Sequence, residues 1–280
     1  MTKKKNFNLA IVGLGNIGLN LYRHLIKNKK SIVEKNNVNF DIKYVSAKNK
    51  KKKRGISIPK KKWLRNYLDA SKLDDIDIVI ELIGGADGPA KKLVFNSIRR
   101  KKHVVTANKS LISKYGDQLA LLAEKNKVNI EFEAAVAGGI PIIRTLKEGL
   151  VANKTKKIYG ILNGTSNFIL SNMDKMNISF DKVLNKAKKL GYAESNPKSD
   201  LNGDDVRSKI QILSSLAFNC FINKNNVNQE GINFIDETDI KNANILGYKI
   251  KHIGLSEISE GKLIQRVNPC LIKKGSRLGN

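Results

Sequence analysis

The sequence is short of cysteine, histidine, aromatic residues and negative charge, and each shortage excludes something. Its two cysteines, Cys220 and Cys270, sit in apolar contexts without metal-ligand spacing. That rules out a disulfide scaffold or a cysteine-held zinc, and it fits a reducing cytoplasm. The three histidines, His24, His103 and His252, are scattered, so neither a metal cluster nor a Ser-His-Asp arrangement is suggested. Apolar runs such as IDIVIELI from Ile76 fall far below the ~20 residues a membrane helix needs. Aromatics make up 6% of the chain, too few for the stacking platforms of single-strand binders. Against 25 acidic residues stand 52 basic ones, a net charge of +27 over 280 residues. The excess is mostly lysine, spread throughout and inflated together with Asn and Ile. Those are the residues of A/T-rich codons, so the charge reads as drift on exposed faces. Neither a nucleic-acid nor a membrane partner is expected.

What remains is 41% apolar and long enough to bury a sizeable core as one large or two ordinary domains. The start, MTKKKNFNLAIVGLG, is basic, but glycines interrupt its apolar segment at once. It reads as a first strand, Asn6 to Val12, and not as a signal peptide. GLGNIG follows from Gly13 to Gly18, and a helix carries Leu19, Leu21, Leu25 and Ile26. Strand, G-x-G-x-x-G, helix is the setting of a dinucleotide site. Gly13 makes the tight turn, Gly15 admits a pyrophosphate, and Gly18 lets helix pack on strand, with Leu14, Asn16 and Ile17 between them. The helix N-terminus offers free N–H groups to the phosphates. A second strand, Phe40 to Ala47, ends without the Asp or Glu that bonds a ribose 2′-hydroxyl. It runs instead through Ser46 and Lys48 into KNKKKKR, ending at Arg54. Cations there suit a 2′-phosphate, so NADP(H) is the preferred cofactor, with NAD(H) also admitted.

Further strands are expected at Asp77–Leu82, His103–Thr106 and within VNIEFEAAV. Thr106, Asn108 and Lys109 stand at the carboxyl end of the second of these, where open α/β sheets bind ligands. Pro89 and Pro141 each open a helix. From Lys157 the periodicity changes. KIYGILNG reads as a strand with a glycine turn, Thr165-Ser166 as a helix cap, and Phe180–Leu190 as a helix. Beyond Phe221 the chain is polar and Asn-rich, with strand-like runs at Tyr248–Leu255 and Leu263–Val267.

The densest chemistry lies in LGYAESNPKSDLNGDDVRSK, from Leu190 to Lys209. Tyr192, Glu194, Asp200, Asp204, Asp205 and Lys209 gather there, in a chain otherwise poor in acid. Gly191, Pro197 and Gly203 break the run into loop pieces. A helix then begins with apolar residues at Val206, Ile210, Leu213 and Ala217. Asp205 and Lys209 share a face of it, and the stripe continues to the apolar Ile212 and Leu216. An exposed ion pair is the ordinary reading of this spacing, but because the stripe continues into apolar residues this end of the helix is expected to face a cleft.

Taken together, GLGNIG, ELIGG from Glu81, VVTANKSL from Val104, FEAAVAGGIPIIRTL from Phe132, GILNGTSNFIL from Gly160 and the acidic stretch resemble homoserine dehydrogenase, in order and spacing. LGYKIKHIGLSE from Leu246 is similar to the family's later strand region. The resemblance implies an α/β fold: a Rossmann-type dinucleotide-binding domain over residues 1–135, then an α+β substrate and dimerisation domain over 136–280. It implies interconversion of L-aspartate 4-semialdehyde and L-homoserine by a homodimer, on the way to threonine and methionine. By resemblance Lys209 is the acid–base residue with Asp205 beside it. Glu194 and Asp205 hold the substrate's amino group, while Gly164, Thr165, Tyr192 and Asp200 line the same pocket. Lys109 matches a lysine at the nicotinamide end, also proposed as catalytic. Glu133, Val136, Gly138 and Ile140 match a monovalent-cation site, with Na+ expected.

The family pattern continues past GSRLGN, so the chain is expected to be truncated there and weak in activity as it stands. Regulation by threonine through an appended domain is not expected. Three other readings compete. A phosphorylating aspartate-semialdehyde dehydrogenase needs a cysteine nucleophile in a Gly/Asn-rich turn, which neither Cys220 nor Cys270 occupies. A basic nucleic-acid-binding module would bind a polyanion with steep salt dependence, indifferent to NADPH; an inactive truncated dehydrogenase fragment is the remaining alternative.

Overall fold

The computed structural model describes residues 4–194, 196–222 and 227–279. The chain divides into two compact units, Met1–Ile142 and Ile143–Asn280.

In the first unit strands alternate with helices: β1 (Lys5–Val12), α1 (Asn16–Lys27), α2 (Lys29–Asn36), β2 (Val38–Ser46), α3 (Asp69–Lys72), β3 (Ile78–Glu81), α4 (Pro89–Arg99), β4 (His103–Thr106), α5 (Lys109–Asn126) and β5 (Ile130–Glu131). All five strands are parallel, in the order β2-β1-β3-β4-β5. Beyond β2 the chain returns once more, where Trp63 makes a single parallel bridge to Val45. Counting that bridge as a reduced strand gives the dinucleotide-binding order, which reverses direction between β1 and β3. Parallel strands covered on both faces read as continuous apolar runs, and here two cores form. One holds Leu9, Ile11, Tyr22, Ile42 and Val45; the other holds Ala10, Val12, Leu64, Ile76, Val79 and Leu93.

The strand expected in VNIEFEAAV is only β5; a 3-10 turn over Glu133–Ala135 takes up the rest. After Pro141 the expected helix is a short one, α6 (Ile142–Arg144), which widens into a π turn over Thr145–Gly149.

The second unit contains β6 (Lys157–Gly160), α7 (Gly164–Met176), α8 (Phe180–Leu190), α9 (Lys198–Leu201), α10 (Asp204–Phe218), β7 (Val227–Gln229), α11 (Glu237–Ile245), β8 (Tyr248–Ser259) and β9 (Lys262–Lys273). Its sheet runs β6-β8-β9-β7, antiparallel except for the β7–β9 pair. Pro269 lies within β9, two residues past the end of the β7 pairing, where a strand tolerates a missing N–H. Helices α7, α8, α9 and α11 share a core of Ile169, Leu170, Met173, Val183, Leu201 and Ile240. Helix α10 packs through Val206 and Ile210 on Val267. It sits close to the sheet because β8 offers Gly254 there. A Cβ at Gly254 would come within 2.9 Å of Val206 and 3.0 Å of Leu162, closer than side chains pack.

Candidate functional site

The first unit builds a cradle at the carboxyl ends of β1 and β3. Gly13 has φ +109°, and a Cβ on it would collide with the Leu82 carbonyl; one on Gly18 would collide with the Gly13 carbonyl. A Cβ on Gly15, by contrast, would meet no atom within 4 Å. Two glycines therefore let the chain turn tightly, while the third faces the open space a pyrophosphate needs at the start of α1. Leu14 is buried, Asn16 and Ile17 begin α1, and Ile17 is 64% exposed. Ser46, buried at the end of β2, accepts the Gly13 N–H on its carbonyl at 2.9 Å. Lys48 is exposed just beyond it.

Arg54 organises the basic loop. Its guanidinium donates to the carbonyls of Asn49 (2.6 Å), Lys52 (2.8 Å) and Leu14 (3.3 Å), and lies over the Trp63 ring at 5.4 Å. The lysine-rich segment is thus bound to the glycine turn.

Glu81, at the end of β3, is fully buried. It accepts the N–H groups of Ile83 (2.7 Å) and Gly84 (3.0 Å) and the Thr106 hydroxyl (2.6 Å). Asn108 donates its amide N–H to Gly85 O at 2.7 Å and caps α5 through Leu111 N. Thr106 and Asn108, expected to touch the cofactor, have side chains engaged in shaping this loop. Lys109 follows, half-buried in the first turn of α5. Sequence reading quoted ELIGG but gave Glu81 no role; a carboxylate ending an apolar strand was the available signal. The residues expected to bind a cation lie along one loop. Glu133 is in the 3-10 turn, Val136 is buried, Gly138 precedes Gly139 (φ +96°), and Ile140 is 63% exposed. Among the described residues, no group of three or more His, Cys, Asp or Glu side chains could hold a metal ion.

The second unit brings the acidic stretch together around the start of α10. Asp205 is 4% exposed, and its Oδ2 lies 2.7 Å from Lys209 Nζ. Lys209 also donates to the Leu162 carbonyl at 2.6 Å. Asp205 is thus buried and Lys209 half-buried, a setting in which a charge-assisted bond is stronger than at an exposed surface. Asn163 donates to Asp200 Oδ1 (2.7 Å) and Asp205 Oδ2 (2.8 Å). Its own carbonyl accepts Ser166 N, capping α7. This corrects the expected Thr165-Ser166 cap. Thr165 instead donates its hydroxyl to the Tyr192 carbonyl at 2.7 Å, because Asn163 already occupies the cap position. Gly164 opens α7, Tyr192 stacks on Phe168 at 4.4 Å, and Glu194 is exposed beyond it. Asp204 turns away, bonding Gln229 and pairing with Arg207. Asn163 was missed; an Asn three residues before Ser166 was the signal, and the cap was placed two residues too late, at Thr165.

Comparison with known proteins follows the same division. A family model described as "Homoserine dehydrogenase, NAD binding domain" matches residues 13–133, and one described as "Homoserine dehydrogenase" matches 141–280. A curated homoserine dehydrogenase of Neisseria gonorrhoeae is 42% identical over 276 residues, covering 99% of this chain and 63% of that protein. The crystal structure of the enzyme from Thiobacillus denitrificans superposes with a TM-score of 0.94 at 39% identity, over 99% of this chain and 64% of that one. The enzyme from S. aureus gives 0.86 at 39% identity, over 98% and 69%. The chain thus spans somewhat under two thirds of the curated relative it matches.

Proposed function

The chain belongs to the homoserine dehydrogenase family, and from that premise we propose that it serves the NADP(H)-dependent interconversion of L-aspartate 4-semialdehyde and L-homoserine. The observation that carries this reading is the pair of buried Asp205 and half-buried Lys209, anchored on the Leu162 carbonyl. It supplies an oriented ammonium where an alkoxide gains or loses its proton.

The glycine cradle fits a dinucleotide, since Gly15 leaves free the space that any side chain would fill. When bound, the nicotinamide supplies or accepts the hydride. The protein's own part is to hold the substrate and move the proton. Asp200, Asp205 and Glu194 offer carboxylates to the substrate's α-ammonium. Thr165, through its bond to the Tyr192 carbonyl, ties the start of α7 to the segment bearing Glu194. Lys209 donates to the oxygen of the aldehyde as charge builds on it, and removes that proton in the reverse direction. Lys109 stands in the other unit as a further cation for the same chemistry. Preference for NADP(H) over NAD(H) is supported by the lack of a carboxylate at the end of β2 and by Lys48 and its neighbours. Supply of homoserine for threonine and methionine synthesis, a homodimer, a cytoplasmic setting and a Na+ held by the Glu133–Ile140 loop complete the reading.

The test is spectrophotometric. Homoserine-dependent reduction of NADP, absent with other small hydroxy amino acids such as serine, is the expected result. A protein that binds NADPH but turns over no homoserine would overturn the assignment.

A further inference from the structure

We propose that Asn163 is a positioning residue that sets the charge and orientation of the substrate pocket, an inference resting on the function just proposed. The side chain is 5% exposed, and all its polar groups are used. Its carbonyl accepts Ser166 N at 2.7 Å, and its amide nitrogen donates to Asp200 at 2.7 Å and Asp205 at 2.8 Å. Only one orientation of the amide satisfies this environment. Rotating it by half a turn would set its oxygen against two carboxylates and its N–H groups against a backbone N–H.

The turn between β6 and α7 therefore grips both members of the catalytic pair. Leu162 gives its carbonyl to Lys209, and the next residue gives its amide to Asp205. The choice of a neutral donor matters. Two carboxylates against the Lys209 ammonium leave one negative charge in the cluster. A lysine or arginine at the Asn163 position would cancel that charge, whereas an amide supplies N–H groups to both carboxylates and preserves it. The remaining charge is what an α-ammonium requires of a dry pocket. Asn163 thus holds the carboxylates apart and aimed, without competing with the substrate for their charge.

A capping role alone would need only the side-chain oxygen, and two variants separate the roles. Asn163→Ser keeps an acceptor for Ser166 N but replaces the two amide N–H donors with a single shorter hydroxyl, which cannot serve both carboxylates. It should fold with a melting temperature within a few degrees of wild type, while kcat/KM for homoserine falls about 10²-fold. Asn163→Asp also keeps the cap, but sets a third carboxyl beside Asp200 and Asp205. Once protonated, that carboxyl can donate to one of them; once ionised, it repels both. The ratio of its kcat/KM to that of wild type should therefore rise as pH falls. A ratio independent of pH, or an Asn163→Ser enzyme within threefold of wild type, would overturn the proposal.

A second readout does not depend on turnover. Competitive acylation of the folded protein, mapped lysine by lysine by mass spectrometry, should change the labelling rate of Lys209 at least threefold in Asn163→Ser, with the other lysines unchanged. Unchanged labelling of Lys209 would refute the positioning role even in a preparation without activity. Altered labelling without activity in either protein would leave the positioning role standing and count against the proposed reaction.

Discussion

Lys209 tests the chemistry most directly. Its ammonium is fixed by Asp205 at 2.7 Å and by the Leu162 carbonyl at 2.6 Å, so its loss removes a donor already aimed. Lys209→Ala should lower kcat at least about 10²-fold, the range of general acid–base catalysis. NADPH affinity should stay near wild type, since the glycine cradle lies in the other unit. Lys209→Arg should be nearly as poor: a guanidinium keeps the charge but does not surrender its proton at neutral pH. Fluorescence titration with NADPH alongside steady-state kinetics checks both, and more than a tenth of wild-type kcat in Lys209→Ala removes the residue from that role. At this scale the sequence was legible where contacts are local. Asp205 and Lys209 are one helical turn apart, and the apolar stripe below them announced burial. Asn163 reaches Asp200 and Asp205 across 37 and 42 residues. No periodicity encodes such a span, so only the folded chain reveals it.

Elements were legible where their signals were strong. Phe180–Leu190 and His103–Thr106 form as expected, and Pro89 opens α4. The sequence reads as loop at α9 because Pro197 and Gly203 frame only five residues, four of them helical. Strands β8 and β9 run longer than their apolar cores, since each pairs the other along a twelve-residue register. Pairing of that length carries polar ends that propensity alone would leave in coil. The loop after β2 makes a sharper claim. Arg54 is bound to the carbonyls of its own loop and of Leu14, so Arg54→Ala should weaken NADP(H) and NAD(H) alike by loosening the turn. Lys48→Ala should weaken NADP(H) selectively, by several-fold. Equal effects of Lys48→Ala on both cofactors in parallel titrations would remove Lys48 from 2′-phosphate recognition.

Strand β8 makes a second claim, through His252. Fully buried, it has one ring nitrogen on the Glu230 carbonyl at 3.0 Å and the other, among the described residues, without a hydrogen-bond partner. Burial lowers its pKa below the ordinary 6.5, with the Glu230 bond opposing. The unfolded chain therefore binds a proton at pH values where the folded chain does not. Its contribution to stability is complete above about 6.5 and declines as pH falls toward the lowered folded value, by at most ~1.4 kcal/mol per pH unit for one proton. His252→Gln, which can still donate to Glu230, should flatten that decline between pH 7 and 5. Urea titrations at the two pH values decide it, and an unchanged slope in the variant would place the acid sensitivity elsewhere.

Across the whole molecule the phosphate-binding residues and the substrate carboxylates fall in separate units. Every residue proposed for the phosphates lies within Met1–Ile142, and every carboxylate proposed for the substrate lies within Ile143–Asn280. Each unit has its own buried clusters, so each ligand should leave its own mark along the chain. Amide hydrogen exchange followed by mass spectrometry reads that mark. A ligand that binds only the folded form multiplies protection by about 1 + [L]/Kd, roughly 10²-fold at a hundred times Kd, wherever exchange requires the bound region to open. NADPH alone should slow exchange over Gly13–Leu19, the loop from Ser46 to Arg54, and Leu82–Gly85. Homoserine alone should slow Leu162–Ser166 and the first turns of α10. The net charge of +27 adds a kinetic signature, since an anionic cofactor approaching so basic a protein binds more slowly as salt screens the field. Protection by NADPH confined to residues after Ile143 would show that the glycine cradle is not the cofactor site. Protection by homoserine in the first unit alone would displace the Asp205–Lys209 pair from the reaction.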